Sequence, residues 1–116
     1  MNLRPVYRFT IFVPPEHLEA LIESILKVTP LGHGEYDRVC WWTREGIEQF
    51  RPLAGAHPGV GTIGELTRCA TVRLELMLDR DPALLDRVFR EGIFPAHPWE
   101  EPAVFVDESY VMSARP

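Results

Sequence analysis

A chain of 116 residues with 46% hydrophobic and 25% charged side chains is one domain's worth of sequence and excludes global disorder. Twelve Lys and Arg against 17 Asp and Glu leave a formal net charge of −5, with Lys27 the only lysine and no basic run, which excludes a phosphate-displacing surface and hence nucleic acid as a partner. No uncharged apolar stretch reaches the roughly 18 residues of a membrane helix, and the first five residues hold no signal-peptide core, so the expected location is the cytoplasm, away from membranes.

In chain order, residues 7–13 alternate Tyr7, Phe9, Ile11 and Val13 with Arg8, Thr10 and Phe12, the period of a strand. Pro14-Pro15 ends it and opens a helix whose Leu18, Leu21, Ile22 and Ile25 share one apolar face. Glu16 and Glu19 sit at its positive end and Lys27 at its negative end. A second strand is predicted from near Tyr36 through Thr43. The third, over residues 71–78, points Val72, Leu74, Leu76 and Leu78 one way and Thr71, Arg73 and Glu75 the other. Asp81-Pro82 reads as an N-cap with proline at the first helical position. Leu84, Leu85, Val88 and Phe89 form that helix's buried face, and Gly92 stands where a C-terminal glycine cap belongs. A last strand covers residues 103–111.

The order β-α-β-β-α-β implies a single α+β domain, 1–116, of ferredoxin-like plan: an antiparallel sheet with two helices on one face. Phe12 and one of Trp41 or Trp42 must then point away from the helices, because side chains alternate across a strand. An apolar second face points to a homo-oligomer; a long loop folding over it is the alternative.

Two stretches carry a family resemblance. The first is Gly34-Glu35-Tyr36-Asp37-Arg38-Val39-Cys40 with Phe50-Arg51-Pro52-Leu53-Ala54-Gly55-Ala56-His57-Pro58-Gly59-Val60-Gly61-Thr62-Ile63-Gly64; the second is Ala96-His97-Pro98-Trp99-Glu100-Glu101-Pro102-Ala103. Together they resemble the PII/CutA-like domain of the Nif-three (NGG-one interacting factor three-like, YqfO-type) family, in its short stand-alone form, over residues 7–106. The resemblance implies a fold similar to PII proteins and CutA, which form trimers. It brings no metal ligands, because the family's dinuclear metal site lies in a flanking domain that this sequence does not contain. Glu35 stands where Asn is usual, and Trp99 where Tyr is usual.

Gly59-Val60-Gly61-Thr62-Ile63-Gly64 spells G-x-G-x-x-G, but a dinucleotide fingerprint needs a strand before it and a helix after it. Pro58 and the nearby strand at Thr71 leave room for neither. The alternative is a long loop over residues 44–68 that turns at its glycines, with Arg51, His57 and Arg68 as anion-facing side chains. The His97-Pro98-Trp99-Glu100-Glu101-Pro102 turn could offer His97 and one carboxylate, since consecutive glutamates in an extended segment point to opposite sides. Rigid scaffolding with solvated glutamates is the competing reading.

Cys40 and Cys69 are expected to be reduced and on neighbouring strands, either as small buried hydrophobes or as part of a Cys/His metal site. His17 and His33 read as exposed.

The expected function is a trimeric binding or sensor module for a small ligand or anion at subunit interfaces. Its site residues are Arg51, His57, Gly59, Gly61, His97 and Glu101, with loop and turn supplied by adjacent subunits. The alternative is a CutA-like divalent metal-binding protein using His57, His97, Glu101 and Cys40. An accessory hydrolase is the third reading; nothing in the sequence names a catalytic residue.

Overall fold

The computed structural model describes residues 2–114. Strand β1 (Asn2–Val13) is central. It pairs antiparallel with β4 (Thr67–Asp79) on one side, Val6 opposite Asp79 through Val13 opposite Val72. On the other side it pairs with β5 (Val104–Ser113), Asn2 opposite Ser113 through Ile11 opposite Val104. The outer edge of β4 carries two short strands, β2 (Trp41–Trp42) and β3 (Gly46–Phe50). The sheet is therefore five-stranded and antiparallel, and the α+β ferredoxin-like expectation holds.

Helix α1 (Leu18–Leu26) follows a 3-10 turn at Pro15–His17. Helix α2 (Pro82–Arg87) runs into a π-helical turn at Val88–Ile93. The Asp81 carboxylate accepts from the Ala83 amide at 3.0 Å, as the cap motif implies. The core lies between helices and sheet: Phe9, Ile11 and Leu74 from the strands close on Leu21, Ile25, Val88 and Ile93.

Four local expectations are corrected. The second strand does not start at Tyr36. Residues 30–39 fold on themselves, with Arg38 and Val39 amides donating to Pro30 and Leu31 carbonyls at 2.8 and 2.9 Å, so those groups are not free for β4. Gly92 is not a cap. It lies within the π-helical turn, where an added Cβ would meet the Ile25 backbone at 3.2 Å, and lets that turn close on α1. Phe89 is exposed rather than buried. His17 and His33 are half-buried rather than exposed.

A further difference shapes the site. β3 lies inside the segment read as loop, which shrinks to residues 51–66. Trp42 stands opposite Leu74 and Gly46 opposite Thr71, so four steps on one strand face three on the other. One extra residue is a β-bulge, pinned by the Thr43 amide on the Arg73 carbonyl (3.1 Å) and the Arg73 amide on the Thr43 hydroxyl (3.0 Å). Because side-chain period is two, the bulge exchanges faces beyond it. Trp41, opposite Glu75, points to the open sheet face; past the bulge it is Gly46, Glu48 and Phe50 that face that way, opposite Thr71, Cys69 and Thr67.

Candidate functional site

Loop 51–66 and turn 97–102 meet within one chain. The His57 backbone N–H donates to both carboxylate oxygens of Glu100, at 3.0 and 3.1 Å. Phe50 packs on Trp99 with ring centroids 5.7 Å apart. Gly59 passes so close to the turn that an added Cβ would sit 2.9 Å from the Pro98 carbonyl oxygen. Glycine is required there for close approach. Between loop and turn lies a cleft of about 360 Å³, walled by Phe50, Pro52, Leu53, Val60 and Trp99 and carrying Glu48, Arg51, Glu100 and Glu101. The expectation of loop and turn from adjacent subunits is corrected: 43 residues apart in sequence, they are clamped together in the same chain.

His97 is buried and anchors the turn from behind. Beyond the start of β5, the Phe12 amide donates to the Ala103 carbonyl at 3.2 Å. The Phe12 carbonyl points to the same edge of β1 and has no β5 amide to meet. His97 Nε2–H donates to it at 2.7 Å, and Nδ1 accepts the Trp99 amide at 3.1 Å. Both ring nitrogens are committed, which fixes the neutral Nε2–H tautomer and leaves no free lone pair for a metal. Burial pushes its pKa below the ordinary value, opposed by the Phe12 carbonyl and assisted by the nearby His17.

The other expected site residues divide. Arg51, Gly59 and Glu101 line the cleft, whereas His57 reaches it only through its backbone. Gly61 has φ 91° and packs where a Cβ would meet Thr67 Oγ1 at 2.9 Å, a role in the loop's own turn. Arg68 donates from Nε to Gln49 Oε1 at 2.9 Å across β3 and β4. Glu100 and Glu101 both line the cleft, because the turn is bent and not extended.

The expected metal set does not assemble. His97 is committed, Cys40 packs half-buried against the core, and no three His, Cys, Asp or Glu side chains among the described residues are grouped to hold an ion. Cys40 also lies far from Cys69. Continuing the β2 register puts Cys40 opposite Leu76, seven residues along β4 from Cys69, or about 23 Å at strand spacing. Both are free thiols, raised in pKa by burial, and Cys69 further by the Glu48 and Glu16 carboxylates, so neither is an activated nucleophile. Replacing both with alanine is expected to cost no more than roughly 1–3 kcal/mol. Thermal unfolding with and without a thiol reductant should coincide; a melting temperature that collapses on reduction would reveal a structural disulfide.

Sequence reasoning missed Glu48. It lines the loop–turn cleft and also a second cleft on the open sheet face, beside Phe12, Arg44, Thr71 and Arg73. Burial raises its pKa, a hydrogen bond from Thr71 pulls the other way, and Oε1 is buried without a partner. Trp99 Nε1 is likewise buried and unpaired. The only sequence signal was Ile47 and Phe50 within a five-residue segment, too short to show a period.

No protein-family profile matches the chain. It is 35% identical over 100 residues to a Bacillus subtilis protein named GTP cyclohydrolase 1 type 2 homolog, covering 85% of this chain and 26% of that protein. The Mycobacterium leprae protein of the same name is 35% identical over 96 residues, covering 83% and 24%. The crystal structure of a Bacillus cereus protein related to NIF3 superposes with TM-score 0.73 at 25% identity, over 94% of this chain and 27% of that one. This chain is homologous to one segment of the NIF3-related proteins. It spans about a quarter of the length of the curated NIF3-related proteins it matches. The fold of that quarter is PII-like: CPII from Thiomonas intermedia K12, solved with ADP, AMP and bicarbonate, superposes with TM-score 0.54 over 97% of this chain and 98% of that one, at 16% identity.

Proposed function

We propose that this chain is an oligomeric PII-like binding module, a homotrimer, that takes a small ligand in the cleft between loop 51–66 and turn 97–102. It works in the cytoplasm with both thiols reduced. The observation that carries the reading is the cleft itself: about 360 Å³, apolar and aromatic in its walls, with a few charged groups converging on it. Such a pocket costs stability unless something uses it, since Glu48 Oε1 and Trp99 Nε1 are desolvated without return. The PII-like neighbour that holds ADP, AMP and bicarbonate supports a small ligand, anions included. The charges of this cleft favour the small-ligand half of that reading over the anion half, because Arg51 stands against three glutamates.

Assembly is supported by the open sheet face. Phe12 and Phe105 meet edge to face at 6.2 Å, and across β4 on the same face Trp41 has Arg73 stacked 5.7 Å from its ring. Phe105 and Trp41 keep more than half of their surface exposed. An apolar patch of this kind marks an interaction surface. Glu48 joins the two clefts, which puts the ligand site at the margin of the face that the copies cover. The same face carries Arg8, Arg73, Glu75 and Asp107, with Arg8 paired to Glu75 at 3.9 Å within the chain.

Light scattering at micromolar concentration should give a multiple of the 13.3 kDa chain, with three as the expected number. Trp41→Glu should release monomer, because it puts a charge on the covered face. Trp42→Glu should leave the assembly intact, since Trp42 stands opposite Leu74 on the helix side. A 13.3 kDa wild-type particle, or equal effects of the two substitutions, would overturn the assembly.

A further inference from the structure

The charge and shape of the loop–turn cleft specify a ligand class. We propose that it binds a small organic cation, an ammonium group carried on an apolar body. This rests on the reading of the cleft as a small-molecule site and adds the chemistry of what enters it.

The walls decide the apolar part. Phe50 and Trp99, tilted at 55° with centroids 5.7 Å apart, form one aromatic wall, and Pro52, Leu53 and Val60 line the cleft with them. A volume of about 360 Å³ suits a compact molecule rather than a folded partner. The charges decide the polar part. Glu48, Glu100 and Glu101 oppose the single guanidinium of Arg51. Glu100 spends its carboxylate on the His57 amide but keeps its charge. An anion entering here meets like charge in a partly dehydrated space, whereas a cation meets carboxylates and an aromatic wall.

Glu48 makes the preference sharper. Its carboxyl is partly desolvated, its Oε1 has no partner, and the neighbouring positions on β4 are Cys69 and Thr71, which bring no positive charge. Arg44 and Arg73 line the adjoining cleft and are the guanidiniums that compete for it from that side. A bound ammonium would give the Glu48 carboxylate the counter-charge that its own cleft provides only through Arg51.

The test is isothermal titration calorimetry of the full 116-residue protein with three probes of similar shape: 2-phenylethylammonium, 2-phenylethanol and 3-phenylpropionate. The ammonium should bind about tenfold more tightly than the alcohol, and the carboxylate more weakly than either. Glu48→Gln and Glu101→Gln should each erase most of the ammonium's advantage while leaving the alcohol's affinity unchanged. Glu101 is exposed, so its variant folds even if Glu48→Gln does not. Equal binding of ammonium and alcohol, or tighter binding of the carboxylate, overturns the cation assignment and leaves a small-molecule cleft standing. Binding of none of the three overturns both. Ammonium binding that survives both substitutions places the cation elsewhere on the protein and also refutes the proposal.

Discussion

Replacing His97 with alanine is expected to lower stability by roughly 2–4 kcal/mol, the largest effect of any single polar substitution in this domain. The reason is that one imidazole serves two part-buried backbone groups. Without it the Phe12 carbonyl and the Trp99 amide both lose their partners, and a ring-sized void opens behind the turn. For a domain of this size the melting temperature should fall by roughly 10–20 °C. A substitution that merely removed a surface ligand would leave melting unchanged, as the sequence reading of His97 as a binding residue requires. Scanning calorimetry of the variant separates the two, and an unchanged transition would reject the anchoring role.

The same residue sets a pH dependence. Folding holds the His97 pKa below the ordinary 6.5. Above that value the imidazole is neutral in both states and contributes no slope. As pH falls through 6.5, the unfolded chain takes up the proton and the folded chain resists, so stability declines until the lower folded pKa is passed. The wild type should therefore lose stability on acidification below 6.5 by a component that His97→Ala lacks. Chemical denaturation at a series of pH values, comparing the two proteins, reads that difference directly. Parallel curves would mean that the proton on His97 is not excluded by the fold.

Gly92→Val is the second large effect, with an expected loss of roughly 1–3 kcal/mol. A Cβ here would stand 3.2 Å from the Ile25 Cα and 3.6 Å from the Ser24 carbonyl oxygen. The contact is with backbone, which cannot rotate away, so α1 and the π-helical turn must separate and loosen the packing of Ile25, Val88 and Ile93. Gly92→Ala adds the Cβ alone and should show a smaller loss, partly offset by alanine's better helix propensity. Urea denaturation of the pair should give midpoints in the order wild type, alanine, valine. A valine variant as stable as wild type would show that the close approach is not limiting.

These two residues mark where the sequence stops being sufficient. Much of the framework was legible because its signals are local. The alternation in β1 and in residues 71–78 of β4, the apolar face of α1, and the Asp81-Pro82 start of α2 each rest on neighbours within a turn or two of chain. The motifs around Gly59 and His97 pointed to the two segments that meet at the cleft. The remaining features depend on contacts between residues far apart in the chain. Whether Gly46-Ile47-Glu48-Gln49-Phe50 is strand or loop was settled by the free edge of β4, and which of its side chains face the cleft was settled by a one-residue bulge in that pairing. Gly92 has the residue type of a cap, and only the approach of α1 makes it a packing glycine. His97 has the residue type of a ligand, yet the Phe12 carbonyl, 85 residues earlier, had already claimed it. Residue type and spacing set what a side chain can do, whereas the partner that folding brings to it decides which of those things it does.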